Sequence, residues 1–118
     1  MNYTCPTCGY LTFKEPPGSY DSCKVCVWED DESQLRFPST TGANSVSLIE
    51  AQNNYAKFGY SIRNIITRLL FKQNIKLYIK DLSWRQLLPN DNYEIPKSHT
   101  DYGETYSDNP ISLYYWKA

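Results

Sequence analysis

Four cysteines carry the chemistry that this sequence offers. Cys5-Pro-Thr-Cys8 and Cys23-Lys-Val-Cys26 are two C-x2-C pairs with 14 residues between them. A two-residue gap lets both thiolates of a pair reach one ion from a tight turn. Two such turns supply the four ligands of a tetrahedral site that is closed to substrate. Cys5, Cys8, Cys23 and Cys26 are therefore read as the ligands of one structural metal ion. Zinc is the default, since four thiolates hold it without redox chemistry, and iron is the alternative. A disulfide within either pair would close almost no chain and gain little entropy. A redox dithiol would need only one such motif, in a βαβ setting that this sequence does not supply.

No second reactive set accompanies them. His99 is the only histidine, and it stands in a polar tract with no Asp, Ser or Cys partner. A catalytic zinc with an open ligand position is hard to assemble from one histidine. The chain is read as a non-enzyme.

The elements that must position the thiols can be traced along the chain. Gly9 suits a tight backbone after Cys8, where a side chain would clash, and Tyr10 can shield the site. Pro16-Pro17-Gly18 marks a turn between the two cysteine pairs. Trp28 is expected to pack against the turns. Residues 29–46 read as an irregular connector that opens with the acids Glu29, Asp30, Asp31 and Glu32. Ser47 with Glu50 three residues on makes a capping box. Leu48, Ala51, Tyr55 and Phe58 follow at helical spacing, and Gly59 suits the left-handed position past a helix end. A second amphipathic stretch holds Ile62, Ile65, Ile66, Leu69 and Leu70. Beyond it two readings stand: a strand over 75–80 followed by a short helix 82–88 capped by Asp81, or one helix over 61–88. Residues 111–116 read as a closing strand. The expected fold is small and α+β: an N-terminal four-cysteine knuckle, one or two central helices, and a short sheet. Residues 1–60 form the metal-binding module with its helix, and 61–118 form an extension packed on it as one domain.

Composition limits the function. At 118 residues the chain is one domain. Aromatic residues make up 15%, and 11 of them are tyrosine, which speaks against global disorder. The start Met-Asn-Tyr-Thr-Cys has no basic or apolar leader region, and no apolar run is long enough to span a membrane. A cytoplasmic protein is expected, where clustered cysteines serve metals before disulfides. The net charge of −1 hides an asymmetry. Residues 1–50 carry three basic and seven acidic side chains, 51–97 carry eight and three, and 98–118 carry one and three. The basic Arg63, Arg68, Lys72, Lys76, Lys80 and Arg85 are read as a solvated face. The acidic head and tail oppose a polyanion, so nucleic acid is not the expected partner.

The first sixty residues resemble the bacterial cysteine-rich CPCC domain family. The resemblance rests on Tyr3-Thr-Cys-Pro-Thr-Cys-Gly-Tyr-Leu-Thr, Glu15-Pro-Pro-Gly-Ser-Tyr20 and Cys23-Lys-Val-Cys-Val-Trp-Glu-Asp-Asp31. Gly42-Ala-Asn-Ser-Val-Ser-Leu48, Glu50-Ala51, Asn54-Tyr55-Ala56 and Phe58-Gly59 extend it. Thr7 departs from it, standing where the family name implies a third adjacent cysteine. The resemblance implies a zinc-ribbon or rubredoxin-like knuckle followed by a helix. Rubredoxins hold iron and repeat Cys-Pro-x-Cys-Gly at the second knuckle; here Cys23-Lys-Val-Cys-Val lacks both Pro and Gly. Some members of the CPCC family look like immunity proteins encoded beside polymorphic toxins. The implied function is binding and neutralising a cognate toxin, as a free monomer that forms a 1:1 complex. The alternatives are a nucleic-acid-binding zinc-ribbon regulator and a rubredoxin-like electron carrier.

The candidate contact surface for such a partner is the tyrosine- and acid-rich tail: Asp101, Tyr102, Glu104, Tyr106, Asp108, Tyr114 and Tyr115. Tyrosine is enriched at binding hot spots, and acids speed encounter with a basic partner. Glu29 to Glu32 could serve as an acidic decoy, but they belong to the shared motif and are read first as scaffold.

Overall fold

The computed structural model describes residues 2–64, 66, 70–71 and 75–117. Strands β1 (Tyr3–Thr4) and β2 (Leu11–Phe13) form an antiparallel hairpin, with an irregular register between Tyr3 and Thr4. Helix α1 spans Glu32–Arg36 and helix α2 spans Leu48–Phe58. Short 3-10 turns follow at Ile75–Leu77, Gly103–Thr105, Pro110–Leu113 and Tyr115–Lys117.

Local rules explain α2. The Ser47 side chain accepts the Glu50 N–H, and Gly59 closes the helix at φ +80° with its N–H on the Tyr55 carbonyl. Its buried face carries Leu48, Ala51, Gln52 and Asn54. The core gathers around the cysteines: Phe13, Val25, Trp28, Leu35, Leu48, Ala51, Tyr114 and Trp116. Phe13 and Leu48 each contribute roughly 1.5–3 kcal/mol by leaving water.

The connector 29–46 is not irregular throughout. Asp31 caps α1 by accepting the Ser33 N–H at 2.9 Å, and its other oxygen takes the Ala43 N–H at 3.0 Å. Gln34 and Asn44 lock the loop by a side-chain bond of 2.9 Å.

Three expected elements are absent. Residues 82–88 are not a helix, and no helix runs through 75–88, so the single-helix reading of 61–88 fails there. Asp81 caps only a turn: it takes the Ser83 N–H and hydroxyl on one oxygen and the Thr4 hydroxyl at 2.6 Å on the other. The residues after it are tied to the first half of the chain by Trp84 Nε1 to the Pro6 carbonyl and Leu87 N–H to Gln52 Oε1, each 3.0 Å. These distant bonds outweigh local helical preference. The strand expected over 75–80 is reduced to one bridge, Lys80 with Tyr10. Residues 111–116 are not a strand. Pro110 and the Asn109 side chain, on the Ile111 N–H, start a 3-10 turn, and the Tyr114 N–H returns to the Ile111 carbonyl. The sheet is thus the hairpin β1–β2, without a C-terminal strand. Ile65 and Leu69 of the second amphipathic stretch lie outside the described residues.

Candidate metal centre

Each cysteine pair sits on a turn of the same design. Gly9 N–H donates to the Cys5 carbonyl at 2.8 Å, and Cys5 N–H donates to the Tyr10 carbonyl at 2.9 Å. Val27 N–H donates to the Cys23 carbonyl at 3.0 Å, and Cys23 N–H donates to the Trp28 carbonyl at 2.8 Å. The residue after each second cysteine turns left-handed, Gly9 at φ +80° and Val27 at φ +65°. The first turn is the loop of the β1–β2 hairpin. The second lies beside the bridge between Ser22 and Glu29.

The two turns face each other. The four Sγ atoms lie within 4.8 Å of one another, and all four residues are buried. Cys5 Sγ is 3.6 Å from Cys26 Sγ, and Cys8 Sγ is 3.7 Å from Cys23 Sγ. A disulfide needs about 2.05 Å. A tetrahedron with metal–sulfur distances of about 2.3 Å has edges of about 3.8 Å. The cross-pair spacings therefore fit one four-coordinate ion and do not fit disulfides.

Electrostatics points the same way. Burial pushes the Cys5 and Cys26 thiols well above the usual range. At Cys23 burial acts in the same sense, but hydrogen bonds from Cys26, Cys5, Cys8 and Thr12 outweigh it and hold this thiol low. Its sulfur takes the Thr12 hydroxyl at 3.2 Å and the Val25 N–H at 3.4 Å. Burial of neighbouring thiols in one space opposes their ionisation together. Four thiolates in this space need a cation among them.

The rest of the chain holds the turns from outside. Gln52 Nε2 on α2 donates to the Pro6 carbonyl at 2.8 Å, as Trp84 does. Ser61 N–H donates to the Cys26 carbonyl at 2.8 Å. The Tyr114 hydroxyl donates to the Thr4 carbonyl at 3.0 Å. A Cβ on Gly9 would lie 2.6 Å from the Trp84 ring, so Trp84 closes directly on the first turn. Tyr10 packs against the core as a half-buried residue, and Trp28 is fully buried.

Other candidate residues are placed differently. Tyr114 is only 4% exposed and belongs to the core, stacked on Trp116 at 4.4 Å. As a partner contact it is corrected by its burial. Tyr115 is half-buried, its hydroxyl shared with Gln52 and the Arg85 carbonyl. Tyr102 and Tyr106 flank the Arg36 guanidinium at 5.2 and 4.6 Å. Asp101, Glu104 and Asp108 are exposed. Asp30 and Asp31 are buried and bonded into loops, so they offer no acidic decoy. Lys80 turns onto the first knuckle rather than a solvated face, and Arg68 and Lys72 lie outside the described residues. His99 is exposed.

Gln52, Thr12, Lys80 and Trp84 support the site without having been singled out for it. Gln52 had a signal: it is a polar residue one step from Ala51 on the apolar face of α2. Lys80 and Trp84 had none, since their roles depend on chain that returns from more than 70 residues away.

A buried four-thiol pocket between two hairpin-like turns, backed by a helix, defines a small protein built to bind one metal ion. A model of the cysteine-rich CPCC family matches residues 3–74, and the chain belongs to that family. No curated protein and no solved structure matches it. Among the described residues, no helix is long and apolar enough to cross a membrane.

Proposed function

We propose that this is an immunity protein that binds and neutralises a cognate bacterial toxin, on a scaffold held by a structural zinc ion. Cys5, Cys8, Cys23 and Cys26 would hold the ion as thiolates. Bound there, zinc supplies folding energy and no open coordination position. Zinc is preferred because the site is closed and four soft thiolates suit it without redox change.

The observation that carries the binding role is where apolar side chains meet solvent. Leu77, Ile79, Leu82, Leu88 and Ile95 are exposed, Leu82 at 94%. These five follow residue 74, where the family match ends, while Ile66 and Leu70 are exposed within it. Leu88 also lines a groove of about 530 Å³ with Ile49, Asn53, Pro89 and Tyr93, and Leu77 and Ile79 line a separate one with Asn2 and Leu11. Apolar side chains left in water mark contact surfaces where they adjoin one another. The matched span would then supply the scaffold and the chain after it the specificity. The exposed acids Asp101, Glu104 and Asp108 add attraction for a basic partner.

The test is protection. Cells carrying a toxin gene found immediately upstream should survive when this protein is co-expressed, and the two proteins should purify as a 1:1 complex. Unprotected cells, with the protein folded and metal-loaded, would overturn the reading.

A further inference from the structure

Lys80 brings a positive charge to the first knuckle. Its Nζ donates to the Cys8 carbonyl at 2.5 Å. The ammonium lies 4.7 Å from the ring centres of both Tyr10 and Trp84, and 6.0 Å from that of Tyr55. Among the described residues no carboxylate is ion-paired with it. The neighbouring Asp81 carboxylate is taken by Thr4 and Ser83. A half-buried ammonium among three rings and a carbonyl has given up much of its water, and it needs a negative centre nearby.

We propose that Lys80 is the counter-charge of the metal centre, a positioning residue that slows metal loss from the first knuckle. The inference rests on the reading that the four thiols bind one metal; it does not depend on the toxin. Four thiolates around a divalent ion carry a net charge of about −2, and an ammonium held on the carbonyl of one ligand residue, Cys8, offsets part of it. The route is specific. The Cys8–Gly9 peptide accepts Lys80 on its carbonyl and donates its N–H to the Cys5 carbonyl. A charge-assisted bond at one end of a peptide strengthens the bond at the other, and that second bond closes the knuckle. At the second knuckle, among the described residues, the equivalent Cys26 carbonyl takes the neutral Ser61 N–H instead.

The backbone fixes Lys80 in place. Leu11 N–H donates to the Ile79 carbonyl at 2.9 Å, and Asp81 N–H donates to the Gly9 carbonyl at 2.8 Å. Residues 79–81 thus form a third rung beside β2. They lie beyond residue 74, where the family match ends, so chain outside the matched span reaches back to the metal site.

Three full-length variants test this. Lys80→Met keeps the stem without charge or donor, Lys80→Gln keeps a donor without charge, and Lys80→Arg keeps the charge. Zinc-loaded proteins are mixed with a chromophoric chelator and release is timed. Iron-loaded proteins are titrated electrochemically. Release should speed up about 10- to 100-fold in the Met and Gln variants, the range of supporting-residue losses at metal sites, and stay near wild type in Arg. The iron potential should move negative in Met and Gln, because losing a cation disfavours the more negative reduced site, and should stay in place in Arg. A purely structural lysine would leave the potential unmoved. Wild-type release and potential in Lys80→Gln would overturn the inference. A wild-type protein that takes up no metal would remove the four-thiolate reading and this inference together.

Discussion

Val27 occupies after the second knuckle the left-handed conformation that Gly9 occupies after the first, φ +65° against +80°. The closing hydrogen bonds match as well, to the Cys23 and Cys5 carbonyls. For a β-branched residue that conformation costs roughly 1–2 kcal/mol. The turn around the metal site therefore dictates the backbone, and the residue at 27 bears the strain.

This gives opposite expectations at equivalent positions. Gly9→Ala forces a Cβ to 2.6 Å from the Trp84 ring at an unfavourable φ, and should cost at least about 2 kcal/mol. Val27→Gly releases strain that offsets the roughly 0.5–1 kcal/mol cost of a flexible glycine. Its stability should stay level or rise. Denaturant midpoints of the two metal-loaded variants decide the matter, and Gly9→Ala unfolding at the wild-type midpoint would refute it.

Thr7 is fully buried, yet its hydroxyl has no hydrogen-bond partner among the described residues. An unsatisfied buried hydroxyl costs about 1–3 kcal/mol. Thr7→Val keeps the branched shape and drops the oxygen. It should raise stability by about 1 kcal/mol and leave the metal content at one ion per chain. A fall in melting temperature would show that the hydroxyl is in use.

The parts of the fold legible in the sequence are those governed by near neighbours. The Ser47 cap, the Gly59 stop, the paired turns at the cysteines and the burial of Trp28 each depend on residues a few positions apart or on one side-chain type. The parts that were misread depend on distance along the chain. Asp81 looked like a helix cap, but one oxygen is bound by Thr4, 77 residues away. Tyr114 looked like a contact residue, but its hydroxyl reaches the Thr4 carbonyl across 110 residues. Lys80 read as one charge on a basic face. No periodicity marks a side chain whose partner is a knuckle carbonyl 72 positions earlier.

Tyr114 should make the protein sensitive to alkali. Burial, with repulsion from Asp30, Cys5 and Asp81, pushes its hydroxyl above the usual tyrosine range. Tyr115 is pushed up to about 12, chiefly by burial. A group raised in the folded state lends stability that is fully present below its unfolded value of about 10 and is lost as pH rises toward the folded one. Tyr114→Phe should cost about 1 kcal/mol at pH 8, for the lost bond to Thr4. The gap to wild type should narrow at about pH 11, where unfolded tyrosine ionises. Denaturant titrations at both pH values measure it, and an equal gap at both rejects the assignment.

Metal removal is the most direct test of the scaffold. The thiols sit at the centre of the core, in contact with Phe13, Trp28 and Leu48 through one cluster. Burial opposes ionisation of Cys5 and Cys26, so only a bound cation makes four thiolates tolerable there. In small zinc domains that binding contributes roughly 10–16 kcal/mol, as much as the whole usual stability of a domain, about 5–15 kcal/mol. Stripping the metal with a strong chelator under reducing conditions should therefore unfold the knuckles. Amide exchange at Cys5 and Cys23, whose N–H groups close the two turns, should lose protection first, and zinc should restore it. Cys8→Ser should show the same exchange pattern without a chelator. Unchanged melting after verified metal loss would mean that packing alone holds the core, and that the thiols bind their ion as passengers.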